Sequence, residues 1–356
     1  MKRVAIVGTQ GVPAQYGGFE TLVENIIGEH RSGDVAYTVF CSAKDYETQR
    51  ETYKGATLKY IPLFHANGIQ STPYDSLSLL HCITGYDTVV VLGVSGGLFL
   101  PLFRLLYRKQ LIVNIDGREY TRAKWGRFAK WFLKTSETMA VRSADVVIAD
   151  NKEIQRYVLE TYHKRAELIA YGGDHVLRTV AEERQTQILQ DLQVERKAYA
   201  VSICRIEPEN NCHITLEAYA QSHQPLVFIG NWNWSKYGQE LKERYGNSPN
   251  IHIVDSIYDL DVLYTLRKHA QVYIHGHSAG GTNPSLVEAM FFGCPILAYD
   301  VVYNRETTYN QAYYYTNSTD LIRLSQSPHL DGTRMQELAE QHYLWRTIVK
   351  QYEALF

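Results

Sequence analysis

Cysteine is scarce in this chain of 356 residues. Cys41, Cys82, Cys204, Cys212 and Cys294 form an odd, scattered set with no Cys-x-x-Cys pair. This excludes a paired-cysteine zinc site and a disulfide framework, and it suits a reducing cytoplasm. Long apolar runs are missing as well. The longest stretch free of charged residues and histidine, residues 88–103, contains three glycines and a serine. It falls short of a membrane span and reads as strand, turn and helix start. The opening MKRVAIVG has two basic residues but only a short apolar run, so a first β-strand is expected there and not a signal peptide. No charge of one sign prevails. The formal net charge is −2, with 21% charged and 45% apolar residues, so no nucleic-acid partner is expected. Tyrosine is frequent, at 27 residues, and carries no functional assignment.

The length suits two domains of ordinary size. Short runs rich in Val, Ile and Leu alternate with longer amphipathic stretches. Strands are expected at residues 3–8, 37–42, 57–61, 88–93, 111–116, 146–149 and 167–171. A second set is expected at 198–204, 226–230, 251–255, 272–275, 295–298 and 312–315. Strands this apolar are covered on both faces, as in parallel sheets with helices on each side. The fold class expected is α/β: two doubly wound Rossmann-like domains in tandem, 1–174 and 175–339. Gly172 and Gly173 mark a plausible hinge, and residues 180–196 read as an exposed helix or linker. Residues 334–356 read as one helix, with Leu338, Tyr343 or Trp345, Ile348, Val349 and Tyr352 able to share a face.

Ligands of such sheets sit at the carboxyl ends of strands, so the loops after strands carry the functional signal. Two domains with those ends facing inward would leave a cleft. The first loop runs Gly8-Thr9-Gln10-Gly11-Val12-Pro13-Ala14-Gln15-Tyr16-Gly17-Gly18. Its glycines can bring backbone N–H groups to a phosphate, or can serve a tight turn alone. No Gly-Lys-Ser/Thr follows, so it is not a P-loop. The second strand ends Phe40-Cys41-Ser42, with no acid to hold an NAD ribose.

A later stretch, HGHSAGGTNPSLVEAM at residues 275–290, sets a glycine-rich turn before a helix. Asn283 is a good N-cap and Pro284 a good first helical residue. The helix start offers free N–H groups that suit a pyrophosphate. Glu288, one turn in, can accept hydrogen bonds from vicinal hydroxyls such as those of a ribose. It can also simply favour the helix N-terminal region electrostatically. Arg205, at the end of the strand 198–204, presents a planar fork suited to phosphate oxygens, or makes a surface salt bridge. Together these three loops form a consistent site for a diphosphate ester.

Residues 104–134 hold nine bases (Arg104, Arg108, Lys109, Arg118, Arg122, Lys124, Arg127, Lys130 and Lys134) against Asp116 and Glu119. Trp125, Phe128, Ala129 and Phe132 have the spacing of one helical face. This surface, with Arg118, Arg122, Lys124, Trp125, Arg127 and Phe128, can meet anionic lipid and a lipid-linked acceptor. The same pattern fits a helix that packs its aromatics in a core and solvates its lysines.

The segments VGTQGVPAQYGGFETLVENI, VNIDGREYTRAKWGRFAKW, ICRIEPENN and GGTNPSLVEAMFFGCPILAYD carry a family resemblance over almost the whole chain. The chain resembles the GT-B-fold, retaining glycosyltransferases of family 4. More closely, it resembles a bacterial rhamnosyltransferase-like branch of capsule, O-antigen and cell-wall polysaccharide assembly. The resemblance implies transfer of a sugar, rhamnose from dTDP-rhamnose above others, from a nucleoside diphosphate to a polyprenyl-diphosphate-linked saccharide. It implies no cofactor and a location at the inner face of the cell membrane.

By motif, Gly17 and Gly18 would lie against the donor phosphate or sugar, and Arg205 would hold the pyrophosphate. Glu288 would bind the ribose. Gly281, Thr282, Asn283, Ser285 and Leu286 would offer amides and side chains to the phosphates and sugar. The closing YLWRTIVKQYEALF resembles the family's last helix, which would carry residues 340–356 back onto the first domain.

The sequence departs from the family at Gly280, where a glutamate is usual, and at Asn210, where a lysine would contact phosphate. Many members carry a histidine after the fifth strand of the first domain; Asp116 in that loop would orient the acceptor hydroxyl, act as base, or cap the next helix. No Asp-x-Asp stands at a strand end, so metal independence is expected, with Arg205 and the helix start stabilising the leaving diphosphate. Other readings stay open: a UDP- or GDP-sugar donor, a GT-B-like sugar-nucleotide epimerase, and a two-domain binding protein, the last opposed by the missing signal peptide. Glu288 could engage both hydroxyls of a ribose but only one of a deoxyribose.

Overall fold

The computed structural model describes all residues except 16, 31–32, 63–70 and 123–124. Lys124, expected in the acceptor surface, lies outside the described residues. The chain forms two units: Met1–Tyr171 with Trp345–Phe356, and Gly172–Leu344.

The apolar runs become strands as the sequence indicates. In the first unit these are β1 (Lys2–Val7), β2 (Val35–Ser42), β3 (Thr52–Tyr53), β4 (Ala56–Ile61), β5 (Thr88–Leu92), β6 (Gln110–Asn114), β7 (Val146–Ala149) and β8 (Ala166–Leu168). They order as β3-β4-β2-β1-β5-β6-β7-β8. Every pairing is parallel but β3–β4, a short antiparallel edge that has no apolar run to announce it. Val90, Val91, Ile112, Val113, Val147 and Ile148 are buried whichever way they point, because helices cover both faces.

The second unit adds β9 (Ala200–Ile203), β10 (Leu226–Ile229), β11 (Ile251–Val254), β12 (Val272–His275), β13 (Ile296–Tyr299) and β14 (Tyr313–Tyr315). They order as β11-β10-β9-β12-β13-β14, all parallel. The strand order reverses beside β9 and β12. The loops leaving those two strands therefore open at the switch point where doubly wound sheets take ligands. One of them carries Arg205, and the other leads into the helix that carries Glu288.

The stretch 334–356 is not one helix. It breaks into Thr333–His342 and Trp345–Glu353. Tyr343 is the cause: its hydroxyl donates to the Thr307 carbonyl (2.8 Å) and its carbonyl accepts from Gly173 N (2.9 Å), both within the second unit. Trp345, Ile348, Val349 and Tyr352 instead join the first unit's core with Leu22, Val23, Ile26 and Ile27. Residues 180–196 include the helix Glu182–Asp191, whose Ile188 and Leu189 are buried.

Candidate functional site

In the second unit, β12 leads through a turn to the helix Pro284–Met290. Asn283 caps it: its Oδ1 accepts from Ser285 N (3.0 Å) and from Ser285 Oγ (2.7 Å). Proline at the first position gives up no needed donor. Gly173 packs so tightly here that a Cβ would meet Val287 Cγ1 at 2.8 Å and the Phe291 ring at 2.9 Å. Leu286, expected to face the donor, is fully buried, and its amide donates to the Asn283 carbonyl (3.1 Å). It is a core residue, because the helix turns that side toward the sheet. Thr282 is buried, and Gly281 is half-buried in the turn.

Glu288 does not stand alone. Arg267, on the helix Leu260–His269, donates from a guanidinium nitrogen to Glu288 Oε2. His175 Nε2 lies 3.5 Å from Glu288 Oε1. The Arg267 side chain is 4% exposed and that of Glu288 15%. Burial pushes the Glu288 carboxyl up, but Arg267 and His175 outweigh it and hold the group below the usual carboxylate range. Sequence reasoning found the acid and missed both partners. They lie 21 residues before it on another helix and in the 3₁₀ turn Asp174–Val176, and no local pattern links them.

β9 ends in the Arg205 loop. Arg205 is exposed, while Asn210 is buried and donates its amide to the Arg205 carbonyl (2.6 Å). Asn210 therefore shapes this loop from within. Cys204 and Cys212, which flank the loop, bring their sulfurs to 3.9 Å as free thiols. At the end of β12, burial pushes the His275 imidazole down to about 3, so it is neutral; it stacks on His277 with ring centroids 4.8 Å apart. Asp259 and Asp261, an Asp-x-Asp pair, serve a helix start: Asp259 Oδ1 accepts from Asp261 N (2.8 Å), and Asp261 pairs with Arg178 (2.9 Å). Among the described residues no group of three or more His, Cys, Asp and Glu side chains could hold a metal ion.

In the first unit, Gly17 and Gly18 open the helix Gly18–Glu29, and Gly17 has φ +124°. A Cβ at Gly17 would collide with the Glu20 carboxylate. Glu20 Oε1 accepts from Thr9 Oγ1 (2.7 Å) and Gln10 N (2.8 Å). Burial holds the Glu20 carboxyl above its usual range despite those bonds. One turn on, Glu24 accepts from Ala14 N (2.6 Å), Tyr53 (2.7 Å) and Lys54 (2.9 Å). Two glutamates thus clamp the glycine-rich loop to the helix that follows it. Neither stood out in the sequence, since an acid in a first turn, as at Glu20, or one turn further on, as at Glu24, is ordinary in a helix.

Asp116 follows β6 with φ +53°; its amide donates to Asn114 Oδ1 (3.1 Å), and its Oδ1 accepts from Tyr171 (3.4 Å). The expected aromatic face is corrected. The helix Arg127–Ser143 starts after Trp125, whose indole donates to Glu119 Oε1 (3.0 Å). Arg122 pairs with Glu119 Oε2 (2.7 Å), and Arg118 lies 5.2 Å over the Tyr157 ring. Gly126 takes an extended conformation as N-cap, which ends any helical register shared with Trp125. The exposed pair is Phe128 (76%) and Trp131 (62%), beside exposed Arg127. Lys134 is no solvated lysine: three rings, of Tyr120, Tyr157 and Tyr162, surround its ammonium at 4.8 Å each.

Two sheets of this order, each wound with helices on both faces and each presenting loops at its strand ends, define the GT-B class of α/β proteins. Residues 183–316 match the family model described as "Glycosyl transferases group 1", and residues 1–174 match one described as "Domain of unknown function (DUF1972)". The chain thus carries a glycosyl transferases group 1 domain in its second half. It is 21% identical over 385 residues to the "uncharacterized glycosyltransferase MJ1069" of Methanocaldococcus jannaschii, covering 96% of this chain and 94% of that one. Among solved structures it is similar to sucrose-phosphate synthase from Thermosynechococcus elongatus (TM-score 0.82, 16% identity, 100% and 98% of the two chains). Anabaena Alr3699/HepE in complex with UDP-glucose is similar too (0.75, 14%, 100% and 99%). At such identities the likeness establishes the fold.

Proposed function

We propose that the chain is a retaining, metal-independent glycosyltransferase of family 4. It moves a sugar from a nucleoside diphosphate to a lipid-linked saccharide acceptor in polysaccharide assembly. The observation that carries this reading is Glu288. It is a carboxylate kept ionised by Arg267 and His175 yet still open to solvent, at the switch point of a glycosyl transferases group 1 domain. An ionised acceptor there matches the paired hydroxyls of a nucleotide sugar. Arg205, exposed on the neighbouring loop, supplies the cation for the leaving diphosphate, and the protein's main work is to stabilise that charge.

The motif resemblance favours rhamnose from dTDP-rhamnose. A uridine diphosphate sugar is the second reading. It is supported by the ability of Glu288 to take both ribose hydroxyls and by the UDP-glucose complex of a protein with a similar fold. The first unit takes the acceptor, with Asp116 oriented by Asn114 and Tyr171 to receive or direct a hydroxyl. Glu20 refines the role of the glycine-rich loop. Its carboxyl already occupies that helix start, so Gly17 and Gly18 meet a neutral sugar there and not a second phosphate.

The same unit gives the protein a peripheral contact with anionic membrane at the inner face of the cell membrane. Phe128 and Trp131 are exposed on one helix, and Leu102, Leu105 and Leu106 on the helix Leu100–Leu106 packed against it. Among the described residues no helix is long and apolar enough to cross a membrane.

The test is ligand-induced thermal stabilisation with dTDP, UDP, GDP and their sugar derivatives, for the parent protein and Glu288→Ala. One nucleotide is expected to raise the midpoint, and the variant to lose most of that rise. No rise with any nucleotide defeats the reading. Turnover of the stabilising donor is expected to survive EDTA.

A further inference from the structure

The Arg267–Glu288 pair is sealed on one side only. The arginine is 4% exposed and the glutamate 15%. The guanidinium spends one nitrogen on Glu288 Oε2, and its Nε has no partner among the described residues. A buried pair is costly to desolvate and contributes little net stability, so an arginine buried behind a partly open acid calls for another reason. The groups that face Glu288 come from three elements: Arg267 from the helix Leu260–His269, His175 from the turn Asp174–Val176, and Tyr273 from β12. The Tyr273 hydroxyl donates to the Ile203 carbonyl (3.3 Å), so it is directed toward β9. Arg267 is therefore the one permanent cation of the three.

We infer that Arg267 is a positioning residue. It lies behind the carboxylate, keeps Glu288 ionised in a buried setting by holding Oε2, and so lets Oε1, which His175 Nε2 approaches to 3.5 Å, accept from ligand hydroxyls as well. This rests on the reading of Glu288 as the group that binds the nucleotide's sugar. Without the guanidinium, burial is opposed by His175 alone, and the carboxyl's pKa rises. A protonated Glu288 loses accepting capacity, so affinity for a nucleotide would become dependent on pH.

The experiment measures UDP affinity by calorimetry from about pH 6 to about pH 8.5 for the parent protein, Arg267→Met and Arg267→Lys. The parent and the lysine variant are expected to share one profile across this range, set by the terminal phosphate of UDP. Relative to the parent at the same pH, the methionine variant is expected to weaken by about tenfold for each pH unit below the raised pKa. A methionine variant that binds like the parent, or that is weakened equally at every pH, overturns the inference. So does an Arg267→Lys profile that departs from the parent's.

A second readout needs no nucleotide: the side-chain carboxyl carbon shift of Glu288, assigned by its loss in Glu288→Gln. An upward-shifted titration in Arg267→Met supports the role, and an unchanged one overturns it. A parent protein that binds no nucleotide defeats the proposed function, and the carboxyl titration still decides the role of Arg267. If Arg267→Met does not fold, the lysine variant carries the test: a titrating Glu288 in it within that pH range overturns the inference.

Discussion

Asp75 shows how burial alone sets the behaviour of a residue. It lies buried on the helix Ser71–Leu80 and accepts from Ser95 Oγ. Burial pushes its carboxyl from 3.8 up to about 7, against the opposing pull of the Ser95 bond. Below pH 3.8 both the folded and the unfolded chain hold this proton. As pH rises, the unfolded chain releases it first and the folded chain only near 7, so the contribution to stability falls through that window. The loss is on the order of 3–4 kcal/mol by neutrality. Urea unfolding from about pH 5 to about pH 8 is expected to show this slope, and Asp75→Asn to flatten it. An equal slope in both proteins would assign it to other groups. Nothing in the sequence marks Asp75. An acid in an amphipathic helix reads as solvated until the turn after β5 closes over it. Glu288 is the contrary case: its spacing after a capped helix start made it legible, though not the arginine behind it.

At the scale of elements, two helices of the first unit leave large apolar side chains in water. Phe128 and Trp131 stand three apart on the helix Arg127–Ser143, with ring centroids 5.8 Å apart. Leu98, Leu102 and Leu105 follow at spacings of four and three, all exposed. Exposed Arg108, Arg127 and neighbouring bases give the surface the charge that suits acidic headgroups. Phe128→Ser with Trp131→Ser is expected to lower binding to phosphatidylglycerol vesicles at low salt several-fold. Because both side chains are exposed, the free energy of unfolding should change little, by less than about 0.5 kcal/mol. Unchanged vesicle binding would remove the membrane role of this face. The periodicity of 125–132 suggested an aromatic face here, but Gly126 placed the helix start after Trp125 and shifted which aromatics share a face.

At the scale of the whole chain, the last helix belongs to the first unit. Tyr352 accepts from Asn114 Nδ2 (2.9 Å), the Leu355 carbonyl accepts from Gln110 (2.6 Å), and Trp345, Ile348 and Val349 are buried. Each such apolar side chain contributes about 1.5–3 kcal/mol, and together they rival the whole margin of an ordinary domain, about 5–15 kcal/mol. Deleting residues 345–356 is therefore expected to unfold or loosen the first unit and leave residues 172–344 folded. Amide hydrogen exchange checks this: β1, β2 and β6 should lose protection, and β9, β10 and β12 should keep it. Loss of protection throughout would mean that the two units fold as one.

The sequence alone determined the parallel α/β class and the strands apart from the short edge β3, and it singled out the candidate loops. Strand burial, turn glycines and helix caps depend on neighbours a few residues away, and such neighbours can be read along a chain. Asn283, Pro284 and Glu288 were legible for that reason. Only the tertiary structure decided what surrounds each candidate residue: Arg267 and His175 at Glu288, Glu20 at Gly17, the tyrosines around Lys134, and the burial of Leu286. Those relations join residues far apart in the chain. They depend on which element packs on which, and burial and charge pairing there set each group's ionisation.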